Sequence, residues 1–136
     1  MSTDVAATIA AKASAAAKAV ANLTTEQKNL VLQSMANHIR AASNDILAAN
    51  KDEVANASAN GTSAAMLDRL TLTTDRIEAM AKAIEQIIAL PDPVGATRQI
   101  EQRPNGINIE KRRIALGVIC MIYEARPNVT ADAGAL

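Results

Sequence analysis

Aromatic residues are almost absent from this chain, whose 136 residues include one tyrosine and neither phenylalanine nor tryptophan. Its core must therefore be built from Ala, Ile, Leu, Val and Met. Alanine supplies much of the 49% hydrophobic fraction. At ~25 cal/mol per Å² of apolar surface removed from water, such small side chains stabilise a fold only weakly. The composition predicts closely packed helices, or support from further protein.

Other shortages exclude whole classes of protein. Fourteen Lys and Arg balance fourteen Asp and Glu, which argues against a nucleic-acid binder and a polybasic membrane anchor. Cys120 is the only cysteine, so no internal disulfide and no cysteine-based zinc site can form. No apolar run reaches the ~18–20 residues of a membrane span, and Lys12 and Lys18 interrupt the alanine-rich start. We expect a cytoplasmic protein without a membrane segment or a bound metal.

Residues 1–95 carry the spacing of helices. Alanine density predicts one over about 3–21. Thr24 with Gln27 forms a capping box for the next, whose apolar positions recur every three or four residues. A third helix fades near Gly61, and a short one follows around 63–70. Thr73 or Thr74 begins the last. Its apolar face comprises Ile77, Met80, Ile84, Ile87 and Ile88, and Pro91 and Pro93 follow it.

The pattern changes after residue 95. Residues 97–103 and 107–113 alternate around Pro104-Asn105-Gly106, which predicts a solvent-exposed β-hairpin. The continuous apolar run 116–123 is typical of a strand buried on both faces of a parallel sheet, and 129–136 begins a helix. Because such a strand needs neighbours, residues 114–136 are interpreted as the opening of an incomplete α/β domain.

Few side chains suggest chemistry. His38 is expected to be a half-buried or surface helix residue, and Cys120 a buried, inert thiol. The polar stretch Glu124–Asn128 lies after the predicted strand and before a helix, where open α/β sheets bind ligands and helix N–H groups favour anions. An ordinary turn with Asn128 as a helix cap remains the alternative interpretation.

Three blocks of sequence carry a resemblance to a known family. They are Met66-Leu67-Asp68-Arg69-Leu70 with Leu72-Thr73 and Arg76-Ile77, Leu90-Pro91-Asp92-Pro93-Val94-Gly95, and Leu116-Gly117-Val118-Ile119 through Ile122-Tyr123-Glu124-Ala125-Arg126-Pro127-Asn128-Val129-Thr130. They resemble γ-glutamyl phosphate reductase, also called glutamate-5-semialdehyde dehydrogenase, a branch of the aldehyde dehydrogenase superfamily. The resemblance runs along nearly the whole chain.

The resemblance implies an NADPH-dependent reduction of L-glutamate 5-phosphate to L-glutamate 5-semialdehyde with release of phosphate, in proline biosynthesis. A cysteine thiolate would form a thioester, and Asn128 matches the side chain that stabilises the oxyanion. Ile122, Tyr123, Glu124, Ala125 and Arg126 match the lining of the NADPH site. The family also implies homo-oligomers, with glutamate 5-kinase as a candidate partner.

The implied fold class is α/β, with N-terminal helices, a β-hairpin arm, and the first strand and helix start of an incomplete Rossmann domain. We divide the chain into a helical part of the cofactor domain (1–95), an oligomerisation arm (96–113) and the start of the NADP-binding core (114–136). The family's catalytic cysteine lies far downstream and has no match in this chain. Cys120 is not its counterpart, because it replaces a residue that is commonly Gly, and Ala115 stands where the family usually has Pro. An inactive fragment, or a non-catalytic helical interaction module, is therefore the alternative.

Overall fold

The computed structural model describes residues 3–136 and contains six helices and one two-stranded sheet in that range. The helices are α1 (Thr3–Val20), α2 (Thr25–Ala41), α3 (Ser43–Ala59), α4 (Ala64–Leu70), α5 (Thr74–Ile88) and α6 (Asn128–Ala135), and the strands are β1 (Thr97–Gln102) and β2 (Asn108–Arg112). All of the helices predicted from the sequence are present. The chain divides into two compact units: residues up to Thr25 with Pro91–Cys120, and Glu26–Leu90 with Met121–Leu136.

Helix α5 organises the second unit. The Thr73 side chain accepts a hydrogen bond from the Arg76 N–H at 3.2 Å and so caps the helix, which selects Thr73 from the two threonines that the sequence offered. Ile77 and Ile84, on the predicted apolar face, are the largest fully buried side chains among the described residues. The spacing of these isoleucines therefore fixes which face of α5 is covered.

Small residues pack around α5, as the composition predicted, and α6 lies close to it. Ala36 of α2 and Ala131 and Ala135 of α6 are buried with Ala81 and Ile84 of α5 in one apolar cluster. Half-buried side chains surround it: Leu32, Met35, Ile39, Leu72 and Ile87. Alanine at the crossing points leaves room for backbones to pack against one another, which compensates in part for the missing aromatic side chains.

One polar side chain, Asn50 of α3, is buried in this unit and is 6% exposed. Its amide nitrogen donates to the main-chain oxygen of Leu70 at 2.9 Å, and its amide oxygen accepts from the N–H of Leu72 at 2.7 Å. Both hydrogen-bonding groups of the side chain are thus engaged by the connection between α4 and α5. This pair of bonds attaches the connection to α3.

Arg40 joins α2 to α5 through two carboxylates. Its Nε lies 2.9 Å from a carboxylate oxygen of Glu78, and its Nη1 lies 2.5 Å from one of Glu85. The hydrogen bond from Arg40 is the main reason why the pKa values of both glutamates fall below the ordinary value of 4.5. The same bonds, led by that to Glu78, raise the pKa of Arg40, so it remains charged.

This arrangement predicts a pH-dependent stability. A carboxyl group whose pKa is lowered by folding stabilises the fold above its unfolded pKa and loses that contribution as the pH falls through its folded pKa. We expect the free energy of unfolding to decrease from about pH 5 downwards, and Arg40→Met to flatten this decrease. Urea unfolding at a series of pH values measures it. Lys82→Met is the comparison variant and is expected to flatten the decrease less, since Lys82 approaches Glu78 only at 4.0 Å and lowers the pKa of both glutamates less than Arg40 does. Equal pH slopes for Arg40→Met and the unmodified chain would contradict the assignment.

The hairpin lies in the first unit and matches the prediction. β1 and β2 are antiparallel, with Thr97 opposite Arg112 and Gln102 opposite Asn108, and the register shifts between Gln99 and Glu101. At the turn, the N–H of Gly106 donates to the oxygen of Arg103 at 2.9 Å, and Gly106 adopts a φ of 86°, which glycine tolerates without strain. Every residue of β2 is exposed. Both outer edges of the ribbon are therefore open within the described chain.

The structure departs from the sequence prediction at residues 116–123. No strand is formed there, and Leu116 and Ile122 are 88% and 95% exposed. A parallel strand requires neighbours, and none of the strands in residues 3–136 lies beside this segment. In addition, Gly117 has a φ of 87°, outside the β region. Cys120 is consequently exposed, and the prediction of a buried thiol is wrong.

None of the helices between residues 3 and 136 is long and apolar enough to cross a membrane.

Candidate functional site

The site is built around the first turn of α6. Pro127 stands at its N-cap position with a φ of −61°, close to the value that the proline ring imposes. Ala131 and Ala135 anchor the helix in the core, and a β-carbon added at Gly134 would already lie 3.7 Å from Met35 Cε. The sequence thus uses small residues to hold α6 close to its neighbours, which fixes the position of its first residue, Asn128.

Asn128 is not the cap that the alternative interpretation assigned to it. It is the first residue of α6, and its Nδ2 donates to a carboxylate oxygen of Asp132 at 2.9 Å. A side-chain amide nitrogen carries two hydrogens, so the second hydrogen of Asn128 can be donated to a ligand. Asp132 lies one helical turn away, and it orients the amide at the surface of the unit.

The preceding loop has an unusual backbone. Ala125 has a φ of 51°, and among the described residues it is the single non-glycine residue with a positive φ. Conformations of this kind cost an L-residue energy and concentrate at ligand sites. The hydroxyl groups of Tyr123 and Thr130 are hydrogen-bonded at 2.5 Å, which ties the start of the loop to α6.

Other residues of the predicted cofactor loop remain open to solvent. Ile122, Glu124 and Arg126 are exposed. The main-chain groups of Ile122, Tyr123 and Glu124 form no hydrogen bond with any residue in the range 3–136. Their N–H and C=O groups are thus available to a ligand or to a neighbouring strand. This stretch fits a cofactor that is held mostly through the main chain.

A cleft of about 550 Å³ brings part of this loop to the α4–α5 connection. Its lining residues are Asp68, Arg69, Thr71, Leu72, Arg76, Ala79, Met80, Ala83, Arg126, Pro127, Asn128 and Asp132. Of the six residues that the sequence assigned to a site, Arg126 and Asn128 line this cleft. Ile122, Tyr123, Glu124 and Ala125 do not.

The α4–α5 side of the cleft was missed by sequence reasoning. Arg76 donates from Nη1 to the main-chain oxygens of Asp68 and Thr71, the latter at 2.6 Å, and from Nη2 to a carboxylate oxygen of Asp68 at 3.0 Å. These bonds fix the end of α4 and the connection against the start of α5. One signal was available, because Asp68, Arg69 and Arg76 belong to a block that carries the family resemblance.

His38 plays no part in this cleft. It is exposed on α2, and its Nδ1 is hydrogen-bonded to the main-chain oxygen of Ser34 at 2.7 Å, so its assignment as a surface helix residue is confirmed. Within residues 3–136, no three His, Cys, Asp or Glu side chains are grouped in a way that could hold a metal ion.

The fold defines a helix-rich part of an α/β domain, with a loop and the start of a helix at its surface as the candidate site. The chain is similar over 93% of its length to the crystal structure of γ-glutamyl phosphate reductase from Thermotoga maritima, with a TM-score of 0.88 and 37% identity. The Saccharomyces cerevisiae structure of that name matches 94% of the chain, with a TM-score of 0.87 and 29% identity. These likenesses confirm the predicted α/β fold class.

Comparison with curated protein sequences also finds similarity to γ-glutamyl phosphate reductases. The chain is 58% identical over all 136 residues to the γ-glutamyl phosphate reductase of Idiomarina loihiensis. It is 57% identical over 129 residues, 95% of its length, to that of Shewanella denitrificans. The resemblance identified in the sequence is thus confirmed. The chain spans only about a third of these relatives, 33% and 31% respectively, and of the two crystallised chains, 31% and 33%. No family model matches it.

Proposed function

We propose that this chain is the N-terminal part of an NADPH-dependent γ-glutamyl phosphate reductase. The complete enzyme reduces L-glutamate 5-phosphate to L-glutamate 5-semialdehyde and releases phosphate, in the cytoplasm, as a step of proline biosynthesis. The observation that supports this proposal is the 58% identity over the full length of the chain, which includes the loop before α6.

Asn128 would act on the reacting carbonyl. When a cysteine thiolate attacks the acyl phosphate, negative charge develops on the carbonyl oxygen, and phosphate leaves as the thioester forms. An amide N–H held in place before the reaction stabilises that charge without reorganisation. Asp132 accepts one hydrogen of Asn128 Nδ2 at 2.9 Å, and the other hydrogen would be donated to the oxyanion. The nucleophile is not Cys120, which we place outside the reacting centre.

The cofactor would run along residues 122–125, with Arg126 at the end of that stretch. When bound there, NADPH would supply a hydride for the reduction to the aldehyde. The open main chain of Ile122–Glu124 and the left-handed turn at Ala125 support this placement.

We retain the division into a helical part (1–95), an arm (96–113) and the start of the cofactor core (114–136). The exposed edges of β1 and β2 support the arm as a homo-oligomer contact, and glutamate 5-kinase is a proposed partner.

A chimera tests the proposal. This chain replaces the matching third of the Idiomarina loihiensis enzyme, and the oxidation of NADPH is followed with glutamate 5-phosphate as substrate. We expect turnover comparable to that of the parent enzyme. The control is the parent enzyme rebuilt by the same cloning steps with its own N-terminal segment put back. A soluble, folded chimera without turnover would refute the reductase assignment and would favour the alternative, a non-catalytic helical module.

A further inference from the structure

The cleft of the second unit holds an excess of positive charge. Three arginines line it, Arg69, Arg76 and Arg126, together with two aspartates, Asp68 and Asp132. Both carboxylates are already engaged: Asp68 accepts from Arg76 at 3.0 Å, and Asp132 accepts from Asn128 at 2.9 Å. Arg76 is also committed, since its remaining bonds go to main-chain oxygens.

Two cations of the cleft therefore have no partner. The side chains of Arg69 and Arg126 form no hydrogen bond or ion pair with any described residue, although each comes from a different wall of the same cleft. Arg69 lies in the last turn of α4, and Arg126 precedes α6 by two residues. Planar guanidinium groups bind carboxylate and phosphate oxygens in pairs of charge-assisted hydrogen bonds.

The other residues that line the cleft indicate the size and polarity of a ligand that would fit it. Leu72, Met80 and Ala83 supply an apolar wall, and Asn128 supplies an amide donor. A cleft of about 550 Å³ is in the range of small-molecule sites, which combine apolar walls with a few placed polar groups. A small anion with a short aliphatic part is complementary to this lining.

We propose that Arg69 and Arg126 form an oxyanion-binding subsite that holds an anionic group of the substrate, phosphate or carboxylate, next to Asn128. The inference rests on the proposed function and refines it, because it moves the guanidinium of Arg126 from the cofactor to the substrate. Arg69 becomes a substrate-binding residue, a role that the sequence analysis did not assign to it.

The test uses the chimera in the reverse direction, where phosphate, L-glutamate 5-semialdehyde and NADP⁺ are separate reactants. Arg69→Met and Arg126→Met are each expected to raise one KM by about tenfold to a hundredfold, as expected for the loss of a charge-assisted hydrogen bond. An increase for phosphate identifies the bound group as phosphate, and an increase for the semialdehyde identifies it as the carboxylate. Arg69→Lys is expected to recover part of the loss. The control, Lys51→Met, removes an exposed charge of α3 outside the cleft.

Unchanged KM values for phosphate and semialdehyde in both methionine variants would overturn the inference, as would an increase confined to NADP⁺. A chimera that is inactive with the unmodified segment would refute the proposed function instead. In that case the 136-residue chain is titrated with inorganic phosphate and, separately, with L-glutamate. Shifts of the Arg69, Arg126 and Asn128 side-chain resonances that disappear in Arg69→Met support the subsite. Their absence with both probes rejects it.

Discussion

Replacing Asn128 with alanine in the chimera is expected to lower kcat by about 10²–10³, the loss that follows when one preorganised oxyanion donor is removed. The KM for the substrate changes little, because the carbonyl oxygen acquires its full negative charge only as the tetrahedral intermediate forms. Single-turnover and steady-state measurements of NADPH oxidation determine both values. The effect is large because the Asn128 amide is already oriented by Asp132.

Two further variants complete this experiment. Asn44→Ala removes an exposed asparagine of α3 outside the cleft and is expected to leave kcat unchanged. Asp132→Ala releases the amide of Asn128, so we expect it to lower kcat by less than Asn128→Ala does, again with little change in KM. If Asn128→Ala retained the kcat of the unmodified chimera in a correctly folded protein, Asn128 would have no role in the reaction.

Asn50→Ala is expected to destabilise the second unit by about 2–3 kcal/mol. The substitution leaves the main-chain oxygen of Leu70 and the N–H of Leu72 without their partner, and an unsatisfied buried polar group costs about 1–3 kcal/mol. Water reaches the half-buried Leu70 and Leu72 in part, which keeps the total below the sum of two full penalties. Urea unfolding of this chain, followed by far-UV circular dichroism, measures the change.

Asn60 provides a matched control for Asn50. Its side-chain nitrogen also donates to a main-chain oxygen, that of Asn56 at 2.9 Å, but in an exposed position where water replaces the bond. We expect Asn60→Ala to change the free energy of unfolding by at most about 0.5 kcal/mol. Equal effects of the two substitutions would show that the two hydrogen bonds of Asn50 stabilise the fold no more than the exposed bond of Asn60 does.

Local patterns were sufficient to predict most of the elements. The apolar spacing of α5 predicted its buried face, Thr73 its first turn, and Asn105-Gly106 the hairpin, because each depends on residues within a few positions of one another. The stretch 116–123 was the exception. Its apolar residues predict a buried strand only if other strands cover them, and none of the described strands does so.

The sequence by itself thus determined the helices, the hairpin and the family resemblance, including the loop that carries Asn128. Only the tertiary structure decided which residues surround that loop. Arg69 and Asp132 are more than 60 positions apart and line one cleft because α6 packs against α5, whereas α4 packs against α3 and is joined to α5 by a short connection. Packing between distant segments depends on which faces become buried together, and no periodicity within a single segment records it.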